Sequence, residues 1–154
     1  MPLRRLQHIL IQTTDLPGTV RWWHEVLGLE PGPHPEFGFP VAWLYCEGED
    51  VLHITEGGAG VSANRQAYLA QTSQAARGTG VLDHIAFHTD DLPGTLARLA
   101  QHGVAFTSRR VHAQGLFQLF LFDPNGVKVE LNFDGREADA HGIVPQLMAS
   151  DLPR

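Results

Sequence analysis

Four side chains of this sequence have the chemistry to share one divalent metal ion: His8, His53, His84 and Glu130. Imidazole nitrogens and a carboxylate oxygen suit first-row divalent ions. Three neutral imidazoles with one carboxylate would leave net positive charge to attract an anionic, chelating substrate. Taken singly, each residue has a plainer explanation. A strand histidine is more often a surface or hydrogen-bonded core residue, and a buried glutamate usually answers an arginine or lysine. Their placement in an internal repeat favours a shared role.

Residues 8–19 read HILIQTTDLPGT and residues 84–95 read HIAFHTDDLPGT, eight identities in twelve positions at an offset of 76. Unrelated segments of ordinary composition would share about one. Leu27-Gly28-Leu29 corresponds to His102-Gly103-Val104 at an offset of 75, each a helix end with glycine followed by a new extended segment. Val51-Leu52-His53-Ile54 corresponds to Lys128-Val129-Glu130-Leu131 at an offset of 77. His8 and His84 are therefore repeat mates, as are His53 and Glu130. An approximate twofold relation would make the four converge.

Positioning them requires a strand, a helix and three further strands in each repeat. The runs Leu6 to Thr13 and Leu82 to Thr89 read as strands. Asp15-Leu16-Pro17 and Asp91-Leu92-Pro93 read as helix entries, with an acidic cap and a proline in the first turn. Val20, Trp23 and Leu27 keep a one-face spacing in the first helix, and Leu96, Leu99 and Ala100 do so in the second. Strands follow near Phe106 to Val111, Leu116 to Phe122 and Val127 to Phe133. The last two are joined by the turn Asp123-Pro124-Asn125-Gly126, whose counterpart is Glu47-Gly48-Glu49-Asp50. The fold class is thus α+β, two duplicated βαβββ modules. The expected boundaries are module one at 4–57, a linker at 58–79 with a short helix capped by Ser62, module two at 80–133 and an irregular C-terminal tail at 134–154.

Strand alternation puts His8, Leu10 and Gln12 on one face and Ile9 and Ile11 on the other, against the helix. His84, Ala86 and His88 share the corresponding face of the second module. His88 and Gln12 are repeat counterparts that could line a cavity, and Trp43 is a cavity-wall or core residue. His24, His34, His102, His112 and His141 lack repeat logic and read as surface residues.

Composition narrows the function classes. With 154 residues, 43% of them hydrophobic, the chain can bury one core or two small ones. The single cysteine, Cys46, excludes an intramolecular disulfide. No charged start leads into an apolar run, and charged residues and glycines interrupt every stretch that approaches membrane-spanning length, so a cytoplasmic protein without membrane insertion is expected. The net charge of −6 and basic doublets limited to Arg4-Arg5 and Arg109-Arg110 argue against nucleic acid as a partner.

The repeated HI strand starts, the DLPGT helix entries, the FxDPNGVKVEL segment and the spacing of His8, His53, His84 and Glu130 resemble the vicinal-oxygen-chelate superfamily, which contains glyoxalases, bleomycin-resistance proteins and extradiol dioxygenases. The resemblance covers residues 4 to 133. It implies paired modules forming a half-open barrel around one divalent metal (Zn, Ni, Mn or Fe), ligands at the four positions just named, and commonly a homodimer. It also implies a small-molecule substrate. The leading functional expectation is a glyoxalase-like lyase or isomerase, with Glu130 and His53 as its catalytic residues. An iron-dependent dioxygenase using His8, His84 and Glu130 is the alternative, and a non-catalytic drug-binding protein is third.

Overall fold

The computed structural model describes residues 4–58, 60–69, 77–80 and 82–148. The chain divides into two compact units, residues 1–77 and 78–154. In the first unit the order is β1 (Ile9–Thr13), α1 (Leu16–Glu25), β2 (Glu30–Gly32), β3 (Val41–Cys46) and β4 (Glu49–Glu56), followed by the short helix α2 (Ala63–Leu69). Its four-stranded sheet runs β1-β4-β3-β2, with β1 parallel to β4. The second unit repeats the plan with β5 (Ile85–His88), α3 (Leu92–Gln101), β6 (Phe106–Val111), β7 (Leu116–Phe122) and β8 (Lys128–Asp134), in the order β5-β8-β7-β6. The α+β class and the two βαβββ modules follow directly. Among the described residues, no helix is long and apolar enough to cross a membrane.

The repeated DLPGT motif has a structural cause. The Asp15 carboxylate accepts from the Gly18 amide at 3.0 Å and the Asp91 carboxylate from the Gly94 amide at 3.1 Å, capping α1 and α3. A Cβ at Gly18 or Gly94 would meet the capping carboxylate, which would have to shift to admit it. Thr19 and Thr95 are buried on the inner faces of the helices, and the Thr19 hydroxyl lies 3.1 Å from that of Thr13 on β1. Trp23 of α1 and Val26 just after the helix are buried, as are Leu44, Leu52 and Ile54 of β3 and β4, and they form a core of the first unit's own. Truncating a buried tryptophan of this kind costs about 3–5 kcal/mol. The second core is built from Leu99 of α3 with Phe117, Leu119, Leu121, Val129 and Phe133.

Several boundaries depart from the pattern-based expectation. Strand β1 begins at Ile9 and β5 at Ile85, so His8 and His84 lie immediately before their strands. Ala100 is exposed, and α3 buries Leu92, Thr95 and Leu99 instead. A residue next to Leu99 is rotated by about 100°, which carries it away from that face. The first-unit turn is only Glu47-Gly48, with φ of 50° and 84°, the left-handed pair a two-residue hairpin needs; Glu49 and Asp50 already belong to β4. The second-unit turn forms as expected, with Gly126 at φ 81° and the Asp123 carboxylate accepting from the amides of Asn125 and Val127 at 2.8 Å.

Residues after Phe133 are more ordered than their polar composition suggests. Asp134 caps α4 (Gly135–Ala140), and β9 (Leu147–Met148) pairs in parallel with Arg109 and Arg110 of β6, making the second sheet five-stranded. The Ser62 hydroxyl caps α2 through the Arg65 amide at 3.2 Å. The linker at 70–76 and the tail beyond Met148 lie outside the described residues.

Candidate metal centre

In the first unit, pairing of β1 with β4 sets Leu10 opposite His53, so His53 lies diagonally across from His8. Their imidazole rings stack with centroids 3.8 Å apart and planes 19° apart. The other partner of His53 is Trp43, opposite it on β3, at 4.0 Å and 3°. His53 is thus sandwiched and only 8% exposed.

Its Nε2 lies 2.8 Å from an Asp50 carboxylate oxygen. A plain strand would point residues three apart to opposite faces. Here the register shifts between Leu44 and Tyr45, whose partners are Leu52 and Asp50, leaving Val51 as an inserted residue. That bulge turns Asp50 onto the face of His53. Because a carboxylate only accepts, Nε2 carries the proton and the lone pair resides on Nδ1. Burial pushes the His53 pKa below the ordinary imidazole value, overcoming the opposing pull of Asp50. The hydrogen bond to His53 in turn holds Asp50 below the usual carboxylate range. Beside the stack, His8, Asp50, His53, Trp43, Phe37 and Phe39 contribute to the lining of a cavity of about 320 Å³.

In the second unit, Glu130 lies opposite Ala86, the register position that His53 takes opposite Leu10. One Glu130 carboxylate oxygen accepts from the side-chain amides of Gln118 at 3.1 Å and Asn132 at 2.7 Å, and the other lies 3.2 Å from His84 Nε2. The other nitrogen of His84, Nδ1, is 2.7 Å from an Asp83 carboxylate oxygen, which also takes Lys128 Nζ at 2.9 Å. His84, with Lys128 second, holds the Asp83 pKa down. Gln118 is fixed by Arg109, whose Nε and Nη2 donate to its amide oxygen at 2.9 and 2.6 Å, leaving the amide nitrogen for Glu130.

These residues fit a divalent ion in specific respects. His8 Nδ1 is buried with no hydrogen-bond partner, a cost that a metal ligand would remove. His84 Nε2 and Glu130 are separated by 3.2 Å, near the spacing of about 3 Å for adjacent donors around an ion about 2.1 Å from each. Asp83 on His84 and Asp50 on His53 are the carboxylate partners that fix a ligating imidazole. His8, Asp50 and His53 also offer donor atoms within 4.8 Å of one another. The stack limits this group. A metal sits near the plane of each ring that binds it, and with the rings stacked at 3.8 Å and 19° an ion in the plane of one lies well off the plane of the other. Shared ligation by His8 and His53 would therefore turn one ring out of the stack.

Of the other expected site residues, Trp43 stacks on His53 and lines the cavity. Gln12 accepts from Arg65 Nη2 at 3.2 Å, and His88 is exposed at the end of β5. His34, expected as a plain surface residue, is exposed but packs on Phe37 with centroids 6.2 Å apart. Four contributors escaped sequence reasoning. Asp50 was hidden by the bulge. Asp83 was readable as the acidic neighbour of His84. Gln118 and Asn132 stood out only as polar residues within apolar strands.

Residues 5–131 match the Glyoxalase/Bleomycin resistance protein/Dioxygenase superfamily. No curated protein matches the sequence significantly. Among solved structures, lactoylglutathione lyase from Agrobacterium tumefaciens is similar in fold, with a TM-score of 0.64 at 16% identity over 88% of this chain and 98% of that one. The fosfomycin resistance protein FosX from Listeria monocytogenes gives a TM-score of 0.61 at 17% identity, covering 85% of this chain and 93% of its own. An antibiotic-binding protein from a Streptomyces species gives 0.60 at 18%, covering 87% and 98%. With the family match spanning both βαβββ modules, the chain belongs to the Glyoxalase/Bleomycin resistance protein/Dioxygenase superfamily.

Proposed function

We propose that the chain is a metal-dependent lyase or isomerase acting on a small substrate with neighbouring oxygens. His8, His84 and Glu130 would be metal ligands, and the Asp50–His53 pair would be the base. The observation that carries this reading is the position of His84 between two carboxylates, 2.7 Å from Asp83 and 3.2 Å from Glu130. With its Nδ1 proton donated to Asp83, a neutral His84 turns a lone pair toward an acceptor-only oxygen. That arrangement calls for a cation, a proton or a metal ion. A divalent ion there would polarise the substrate oxygens and acidify the adjacent C–H.

His53 fits the task of moving the proton. It is neutral by burial, and its protonated Nε2 is anchored on Asp50. Glu130 fits it less well, because two side-chain amides pin one of its oxygens while the other faces His84. His53 would become a fourth ligand only on leaving its stack with His8. Metal analysis of anaerobically purified protein tests the proposal. Glu130→Gln should weaken metal binding about 10-fold or more and remove turnover of hemithioacetal substrates. Unchanged metal content together with unchanged activity in that variant would overturn the assignment.

A two-histidine, one-carboxylate set of His8, His84 and Glu130 would also suit an iron-dependent dioxygenase, since it keeps positions open for substrate oxygens and O₂. Oxygen uptake with catechols would select that reading, and hemithioacetal turnover without oxygen uptake would select the lyase.

A further inference from the structure

We propose that the first-unit cavity receives a planar aromatic ring, uncharged or bearing a hydroxyl or amine donor, as the recognition portion of the ligand. This deepens the function proposed above and rests on it only for where the ligand's chelating oxygens would go. The cavity walls are themselves aromatic and connected. Phe39 meets Phe37 with ring centroids 5.7 Å apart, Phe37 meets Trp43 at 6.1 Å, and Trp43 stacks on His53 at 4.0 Å. Rings in such tilted and stacked arrangements offer faces and edges to a further ring, a geometry an aliphatic chain cannot use. At about 320 Å³ the cavity is at the small end of ligand sites, sized for one ring or two fused ones.

Charge narrows the class further. Among the described residues, Asp50 is the only Asp, Glu, Lys or Arg side chain lining the cavity. A carboxylate-bearing ligand such as a glutathione conjugate would meet like charge with no lysine or arginine among the described lining residues to answer it. A phenolic or amine hydrogen would find acceptors there instead.

The wall is also held in place before any ligand arrives. The segment carrying Phe37 and Phe39 contains Pro31, Pro33, Pro35 and Pro40. Tyr45 donates to the Pro33 carbonyl at 2.6 Å, Asn64 to the Gly38 carbonyl at 2.9 Å and Thr55 to the Pro40 carbonyl at 3.2 Å. A loop tethered at three points loses little further freedom on binding, so its aromatic contacts would appear as affinity.

The test uses the full chain stripped of metal by a chelator, so that ring binding is measured independently of the metal proposal. Titration with 2-naphthol, followed by calorimetry and by ring-current shifts of the His8 and His53 imidazole protons, should show saturable binding. Affinity should be about 10-fold above that of saturated decahydro-2-naphthol, the factor expected of aromatic contacts beyond area burial. It should also exceed that for 2-naphthoate and S-hexylglutathione. Phe37→Leu, on a half-buried loop position, should lower 2-naphthol affinity severalfold while leaving the circular dichroism spectrum unchanged. Absence of binding, equal affinity for the saturated analogue, or preference for either anionic probe would overturn the proposal. A protein that binds 2-naphthol yet holds no metal through Glu130 would sink the metal assignment alone.

Discussion

His53 shows how burial and hydrogen bonding compete at a single imidazole. Asp50 favours its charged form, but the Trp43 and His8 rings on its two faces exclude water, and burial prevails. The folded-state pKa therefore lies below that of the unfolded chain, and folding favours the neutral ring. This contribution to stability is fully present above the unfolded value of about 6.5 and is lost as pH falls through the lower folded value. Long-range proton–nitrogen NMR should find His53 titrating below an ordinary imidazole, with its neutral form protonated on Nε2 alone. Its removal in His53→Gln should flatten the acid side of the stability curve. A His53 that titrates at its ordinary value would sink this account. Asp50→Asn supplies a second test, since an amide no longer fixes the tautomer. Turnover should fall on the order of 100-fold with metal content unchanged, whereas loss of metal would make Asp50 or His53 a ligand.

The edge of the second sheet carries an expectation of its own. Ser108 of β6 donates its amide to the Gln146 side chain at 3.1 Å and accepts the Gln146 amide on its hydroxyl at 2.9 Å, just before β9 closes the edge at Arg109 and Arg110. Truncating the chain before Gln146 removes those bonds, and the urea midpoint should drop by the equivalent of about 1–3 kcal/mol. No change would mean that β9 merely rests on the sheet. Period-two and period-3.6 patterns with caps and turns were enough to place β6, β7, α1 and α3 within a residue or two of their observed ends. What escaped depended on pairing. The Val51 bulge exists only relative to β3, so neither the shortened Glu47-Gly48 turn nor the meeting of Asp50 with His53 had a local signal. The His84–Glu130 contact was readable because the repeat marked both positions, while the Arg109–Gln118–Glu130 chain crosses three strands and left no trace in spacing. β9 went unseen because a two-residue strand has no period to detect.

Duplication also bears on how copies of the chain associate. Leu6 and Leu82 are repeat mates, each two residues before a candidate ligand, and they are 82% and 51% exposed. One exposed leucine needs no explanation, but two at equivalent positions, each leading into a strand that has a hydrogen-bonded neighbour on one side only, share a reason. We expect these segments to be covered in a homodimer, the assembly that protects short edge strands without closing the sheet. Sedimentation velocity at micromolar concentration should give a dimer. The double substitution of Leu6 and Leu82 by lysine should shift it toward monomer by about 10-fold or more in dissociation constant, since burying each leucine contributes roughly 1.5–3 kcal/mol. The variant should keep its circular dichroism spectrum, because neither side chain belongs to a core. A monomeric wild-type chain would refute the expectation outright, and a lysine variant that dimerises with unchanged affinity would move the contact to another surface.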